Sequence, residues 1–220
     1  MKTYPVFLDL RGKRCLVVGG GVVAQRKVHT LVGAGAKVTI ISPDLPASLQ
    51  KMGAQKRIQW LRRRYRQGDL KGCFLAFGAT DNPKVNRDMA DEAKLSGSLI
   101  NVVDRPGLCN FISPAVVRRG ELLIAISTGG ASPGLAKKIR QDLERIFGQD
   151  YVKALELLGA LRKVLRRRSL SSADRKRILT GLINSPLLDH IRQRKKVKLE
   201  RLLSRIAGGD WNLSDLGVSL

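Results

Sequence analysis

The sequence predicts an α/β fold: a Rossmann-like parallel sheet, then a short middle segment and a small all-helical C-terminal domain. Three observations carry that prediction. Residues 14–24, RCLVVGGGVVA, run from a buried-strand pattern through a glycine-rich turn into a helix. Strand-like and helix-like segments then alternate over about 100 residues, the pattern of βαβ units in a parallel sheet. Beyond Gly148 every periodic segment is helical.

The first strand is Leu16 to Val18, and Gly19, Gly21 and Ala24 take the special positions of G-x-G-x-x-G/A. Gly19 permits the tight turn, Gly21 lets backbone approach a pyrophosphate, and small Ala24 lets the helix pack closely on the sheet. The unpaired N–H groups at the helix start then face negative charge. This helix is expected from Val22 to Leu31, stopping at Val32-Gly33-Ala34-Gly35. The next strand, Lys37 to Ile41, is rich in β-branched residues and ends at Ser42-Pro43. An acidic residue at that end would accept the ribose hydroxyls of NAD. Ser42 stands there instead, with Asp44 beyond Pro43, so the choice between NAD and NADP stays open. The absence of a basic residue at that strand end leans towards NAD.

Ile58 to Leu61 reads as a short third strand, and Arg62-Arg63-Arg64 with Arg66 reads as a solvated face. Cys73 to Ala79 is the next apolar strand. Asn82 or Asp81 can cap the following helix, with Pro83 in its first turn and Val85, Met89, Ala90 and Ala93 on its apolar side. Gly97 closes it, and Leu99 to Val103 is a further strand. Ligands of such sheets sit beyond the carboxyl ends of the strands. That rule nominates Gly19 to Gly21, Ser42, Ala79 to Asn82, and Asp104-Arg105. Asp104 reads either as a turn-capping aspartate or as a chemical group.

Leu122 to Ser127 is a strand running into a Ser/Thr/Gly loop, 127–134, in which Ser132 and Pro133 start a helix through Leu135, Ile139, Leu143 and Ile146. A loop of this kind meeting a helix N-terminus is a second anion cradle, with Lys137 on its helix. Tyr151 to Leu165, a helix from Ser171, and Leu187 to Leu203 follow. The last residues, 208–220, are expected to be loosely held, with Trp211 as the docking candidate, and the region looks short of apolar mass.

Composition narrows the function classes. The formal net charge is +23, with 25 Lys/Arg against 11 Asp/Glu in residues 1–147 and 16 against 7 thereafter. A positive field spread along the whole chain attracts polyanions: nucleic acid, anionic lipid, or a small substrate with many carboxylates. The hydrophobic share of 43% belongs to a folded chain. No run reaches the roughly 18 apolar residues of a membrane span, and no signal peptide is expected. Cys15, Cys73 and Cys109 form no CxxC pair and suit a reducing cytoplasm. His29 and His190, the two histidines, form no ligand cluster, so no tightly bound metal is expected.

These residues resemble the precorrin-2 dehydrogenase/sirohydrochlorin ferrochelatase family of siroheme synthesis. The resemblance covers Tyr4 to about Phe147. It rests on Pro5-Val6-Phe7, the loop and helix from Gly19 to Lys27, Val38 to Pro43, Ala79-Thr80-Asp81-Asn82 with Asn86, Asn101-Val102-Val103-Asp104, Leu108-Cys109-Asn110-Phe111, and the loop from Ser127 to Pro133. It implies an NAD-binding domain (1–112), a dimerisation segment (113–147) making a homodimer, and a helical domain (148–220).

The activity implied is oxidation of precorrin-2 to sirohydrochlorin by NAD⁺, with Fe²⁺ as a co-substrate in members that also make siroheme. The family's catalytic aspartate falls on Asp104, which could accept the departing proton. The cofactor-side set becomes Gly19, Gly21, Val22, Val23, Ser42, Pro43, Ala79, Thr80, Asp81 and Val103. Arg105, Arg118 and Arg119 are candidate clamps for the carboxylates of the tetrapyrrole, joined by Asn110, Thr128 and Lys137. The family usually has an acidic residue where this chain has Arg105, and often an Asp where it has Asn82. Two other readings stand beside this one: a dehydrogenase with a separate chelatase, and a redox-sensing nucleic-acid-binding protein. The latter lacks a helix-turn-helix signature or an aromatic platform, so no nucleic-acid partner is expected.

Overall fold

Strands made of β-branched and aliphatic residues alternate with helices whose apolar positions recur at helical spacing, and the chain folds accordingly. A computed structural model describes residues 2–219; Met1 and Leu220, the outer ends of the expected domains, lie outside the described residues. Two compact units meet between Ser113 and Pro114.

The first unit contains β1 (Arg14–Val18), α1 (Val22–Gly33), β2 (Lys37–Ile41), α2 (Ala47–Ala54), β3 (Gln59–Leu61), β4 (Leu75–Gly78), α3 (Pro83–Ser96) and β5 (Leu99–Val102). All five strands are parallel, in the order β3-β2-β1-β4-β5. The chain walks outward from β1 to β3, then returns to add β4 and β5 on the other side. Between β1 and β4 the order reverses, which is where such sheets open a crevice.

Register aligns the carboxyl ends. Val18 pairs with Ile41 on one side and Gly78 on the other, and Gly78 pairs with Val102. Gly19, Ser42, Ala79 and Val103 therefore leave the sheet along one edge. Alternate residues of β1 face opposite layers. Cys15 and Val17 pack with Ala24, Val28 and Leu49 of α1 and α2, whereas Leu16 and Val18 pack with Met89 and Ala93 of α3.

The second unit begins with an antiparallel hairpin, β6 (Ala115–Arg119) and β7 (Leu122–Ile126). Its two-residue loop places Gly120 at φ +56, where glycine is the favoured residue. The sequence pattern hides β6, because its arginines read as a polar lead-in to β7. Helices α4 (Pro133–Ile146), α5 (Gln149–Arg167), α6 (Ser172–Ile183), α7 (Leu187–Arg192) and α8 (Lys196–Ala207) follow. The expected single helix from Leu187 to Leu203 is broken where Arg194 adopts φ +51. The C-terminal stretch is not loose. Trp211, Leu213, Leu216 and Val218 are all buried in the same core as Leu157, Leu161, Leu165, Leu182, Leu199 and Leu203. Arg168 lies 4.5 Å over the Trp211 ring, and Glu200 accepts the Leu213 N–H. This apolar tail adds its mass to the core of the helices.

Lys27 of α1 is a half-buried charge in the first unit. Its Nζ sits 4.6 Å from the Phe77 ring centroid and donates to Ser113 Oγ at 2.9 Å. Burial, with Arg26 nearby, pulls its pKa from 10.5 to about 8. The folded chain thus binds fewer protons than the unfolded chain between about pH 8 and 10.5, so this group's contribution to stability rises with pH across that window. In denaturant titrations, the stability of wild type relative to Lys27→Met should increase from pH 8 to 10.5. A flat difference would show that the ammonium is not held at a penalty.

Candidate functional site

The turn from β1 into α1 is shaped by backbone contact. Gly19 has φ +119, and a Cβ on it would lie 2.0 Å from the Ala79 carbonyl oxygen. A Cβ on Gly20 would lie 2.2 Å from the Asp44 carbonyl oxygen, a requirement outside the Gly19, Gly21 and Ala24 pattern read from the sequence. At Gly21, by contrast, a Cβ meets nothing within 4 Å. Gly21 is the N-cap of α1 and has no side chain to cover the helix's first N–H groups, those of Val22 and Val23. Those donors are left for an anion. Ala24 is fully buried and lets α1 lie close to the sheet.

A cleft of about 560 Å³ opens here, lined by Gly19 to Val23, by Ser42 and Pro43 after β2, and by Ala79 to Asn82 after β4. This volume lies within the roughly 300–1,000 Å³ of cofactor sites. The open position at Gly21 is a cradle that any side chain would fill, so these residues fit a dinucleotide pyrophosphate.

Each loop is fixed by its own hydrogen bonds. Ser42 is buried; its Oγ donates to Asp44 O at 2.7 Å and its carbonyl accepts Trp60 Nε1–H at 2.9 Å. Asn82, not Asp81, caps α3, accepting from Lys84 and Val85 N–H. Asp81 is therefore exposed on the cleft wall. Asn86 donates Nδ2–H to Thr80 O at 2.9 Å and holds that loop from below.

A wall that sequence reasoning passed over comes from the segment joining β3 to β4. Arg63, Arg64 and Tyr65 line the cleft, although the arginine run reads in sequence as a solvated face. Glu92 of α3 accepts the Tyr65 hydroxyl, Gly68 N–H at 2.9 Å and Leu70 N–H at 2.8 Å. Burial and the Glu92 carboxylate hold the Tyr65 phenol well above its ordinary pKa. Asp69 receives both Nη groups of Arg63, at 2.7 and 2.8 Å. One signal was available in the sequence: Ile58 to Leu61 reads as a strand of the parallel sheet, so the residues after Leu61 fall at its carboxyl edge, where the register of β3 with β2 places them.

Farther along this edge, Val103 N–H donates to Gly78 O at 2.9 Å and Arg105 N–H to Val102 O at 3.2 Å. The latter closes a turn in which Asp104 has φ +57, a region that Asp and Asn tolerate better than other non-glycine residues. Cys109 Sγ accepts Val102 N–H at 3.2 Å and lies 3.3 Å from the carbonyl oxygens of Val102 and Arg105, so the thiol sits inside this turn. Val103, Asp104 and Arg105 stand outside the cleft lining. Asp104 and Arg105 are exposed. Two strand spacings separate β5 from β1, about 10 Å. Asn110, expected beside the substrate, has its amide engaged elsewhere: Oδ1 accepts Ile100 N–H at 2.7 Å and Nδ2–H donates to Ser98 O at 2.9 Å. It substitutes for a missing edge strand along β5.

In the second unit, Arg119 donates Nε–H to Phe147 O at 2.9 Å and Nη2–H to Glu144 O at 3.0 Å, closing the end of α4. Thr128 Oγ1 donates to Ser132 O at 3.0 Å and accepts Ser132 N–H at 3.2 Å. Both side chains are engaged by the fold, whereas Arg118 and Lys137 are exposed. Among the described residues no group of three or more His, Cys, Asp and Glu side chains could hold a metal ion.

Two family models match the chain: NAD(P)-binding over residues 6–115 and sirohaem biosynthesis protein central over residues 119–146. The siroheme synthase of Methylobacillus flagellatus is 37% identical over 209 residues, covering 93% of this chain and 44% of that protein. The siroheme synthase of Azotobacter vinelandii is 35% identical, covering 94% and 45%. The chain thus spans less than half the length of the curated relatives it matches. A solved structure of the precorrin-2 dehydrogenase SirC is 30% identical with a TM-score of 0.80, covering 94% of this chain and 100% of that one.

The glycines make separable predictions. Gly21→Asp points a carboxylate into open space, so thermal unfolding should be nearly unchanged while NAD⁺ affinity by calorimetry falls at least ~30-fold. Gly19→Ala forces a Cβ onto the Ala79 carbonyl and should destabilise by ~2 kcal/mol or more. Wild-type NAD⁺ affinity in Gly21→Asp, or wild-type stability in Gly19→Ala, would contradict this description of the turn.

Proposed function

The chain belongs to the precorrin-2 dehydrogenase/sirohydrochlorin ferrochelatase family of siroheme synthesis, and from that premise we propose that it oxidises precorrin-2 to sirohydrochlorin with NAD⁺. The observation that carries the proposal is the shared edge: the dinucleotide cleft and the Asp104 turn both lie beyond the carboxyl ends of the same parallel strands. NAD⁺, when bound, supplies the hydride acceptor. The first N–H groups of α1 would hold its pyrophosphate, and the loops after β2 and β4 would line the cleft around it. Loss of hydride from the tetrapyrrole leaves a proton to be removed, and the Asp104 carboxylate accepts it.

Exposed arginines and lysines suit a polycarboxylate substrate. The net charge of +23 raises its encounter rate, and Arg105, Arg118 and Lys137 are available as partners for its carboxylates. Fe²⁺ insertion belongs to the same proposal as a second activity, with Fe²⁺ as substrate and Asp104 as the base that takes the two displaced pyrrole N–H protons in turn and releases each to solvent.

We further assign residues 1–112 to cofactor binding, 113–147 to homodimer formation and 148–220 to a helical domain. The dimer reading rests on exposed apolar surface. A two-stranded hairpin is marginal alone, β7 leaves Leu122, Leu123, Ile124 and Ile126 half-buried, and Leu135 and Ile146 of α4 are more than half exposed. Three unpaired cysteines fit a cytoplasmic enzyme. No described helix is long and apolar enough to cross a membrane.

The deciding assay is anaerobic, with precorrin-2 and NAD⁺ followed by NADH absorbance, and with sirohydrochlorin and Fe²⁺ in a separate arm. NADH formation dependent on precorrin-2 supports the dehydrogenase; its absence overturns it. Metallated product no faster than the spontaneous reaction removes the chelatase. Asp104→Asn, which keeps a side chain tolerant of positive φ, should lower dehydrogenation at least ~100-fold with NAD⁺ affinity intact. Undiminished turnover would remove Asp104 from the chemistry.

A further inference from the structure

In dinucleotide folds an acidic side chain at the end of the second strand accepts the adenosine ribose hydroxyls, whereas a nearby arginine accommodates a 2′-phosphate. Strand β2 itself offers neither. Ser42 occupies the position, and its hydroxyl is engaged by Asp44 O. The Asp44 side chain is 89% exposed, faces Arg62 Nη2 at 3.7 Å and stands outside the cleft lining.

Charge reaches this wall from the neighbouring strand. Because Ile41 is in register with Leu61, the chains leaving β2 and β3 start side by side, and Arg64 lines the cleft together with Ser42 and Pro43. Its two predecessors are otherwise engaged: Arg62 with Asp44 and the Trp60 ring, Arg63 with Asp69. Arg64 is exposed and has no ion-pair partner among the described residues. The carboxylate in the described lining, Asp81, follows β4, on the far side of β1.

We propose that Arg64 forms a 2′-phosphate subsite, so that the cleft accepts NADP⁺ as well as NAD⁺ and this guanidinium sets the balance between them. The inference rests on the cleft being the dinucleotide site. A planar guanidinium matches phosphate oxygens bidentately, and the Asp44 carboxylate near this wall faces Arg62 and stands outside the cleft lining. Because the side chain is exposed, the interaction is screened by salt.

The test is calorimetric titration of the full chain with NAD⁺ and with NADP⁺ at low and high salt. Wild type should bind NADP⁺ within ~3-fold of NAD⁺ or more tightly, and Arg64→Ala should shift the ratio of the two dissociation constants ~10-fold against NADP⁺. Arg64→Lys should shift it less, and raised salt should shrink the difference between wild type and Arg64→Ala. NADP⁺ binding more than ~10-fold weaker than NAD⁺ in wild type, or an Arg64→Ala variant with an unchanged ratio, overturns the subsite. No tetrapyrrole is present in the titration. A chain that binds both dinucleotides yet fails to oxidise precorrin-2 therefore leaves the subsite standing and overturns the activity alone; failure to bind either overturns the cleft assignment itself.

Discussion

Three loops cross at the carboxyl edge of the sheet with no room between their backbones. The chain leaving β1 passes the Ala79 carbonyl at Gly19 and the Asp44 carbonyl at Gly20 so closely that a methyl group at either position would overlap an oxygen. That contact fixes the direction in which α1 departs and brings the ends of β2 and β4 against the helix's first turn. Only Gly21 faces open space. A glycine-rich turn here thus performs two different tasks: closure of backbone on backbone, then exposure of bare N–H groups to an anion.

Side chains reinforce the edge wherever regular structure is missing. The link from β3 to β4 has no helix, and Glu92 and Asp69 replace one by collecting backbone N–H groups and an arginine. Strand β5 has no outer neighbour, and Asn110 with Cys109 supplies the partners a sixth strand would have given. Buried backbone groups must be paired, and these residues meet that demand while keeping the edge free of covering elements. The Asp104 turn is supported from inside by the Cys109 sulfur, so its left-handed conformation is held by neighbours as well as tolerated by the aspartate itself.

Much of this is visible in the chain before it folds. The G-x-G-x-x-A spacing, the β-branched run from Lys37 to Ile41 and the Asn82-Pro83 helix start are local signals, and local physics decides them. Other features depend on contacts distant in sequence. Arg64 reads as one of three solvated arginines until the register of β3 with β2 carries it to the cleft. Arg119 and Asn110 carry ligand-binding chemistry, yet carbonyl groups at the end of α4 and the backbone of Ser98 and Ile100 engage their side chains first. Trp211 stands out in the sequence as a docking residue, but Leu213, Leu216 and Val218 lie after a Gly-Gly break with no helical period, so nothing local announces that they complete the C-terminal core with it. Likewise Arg118 and Arg119 conceal β6, because a hairpin partner is recognised only once β7 lies beside it.

The dependence of the cofactor site on this single crossing of loops is tested most directly by an amide-resolved NMR titration of the intact chain with NAD⁺. The amides of Gly21, Val22, Val23 and Thr80 should show the largest shifts and saturate together, followed by smaller changes around Val103 and Asp104. Shifts centred instead on the helical residues after Gly148, with the Gly19 to Val23 amides unmoved, would contradict it.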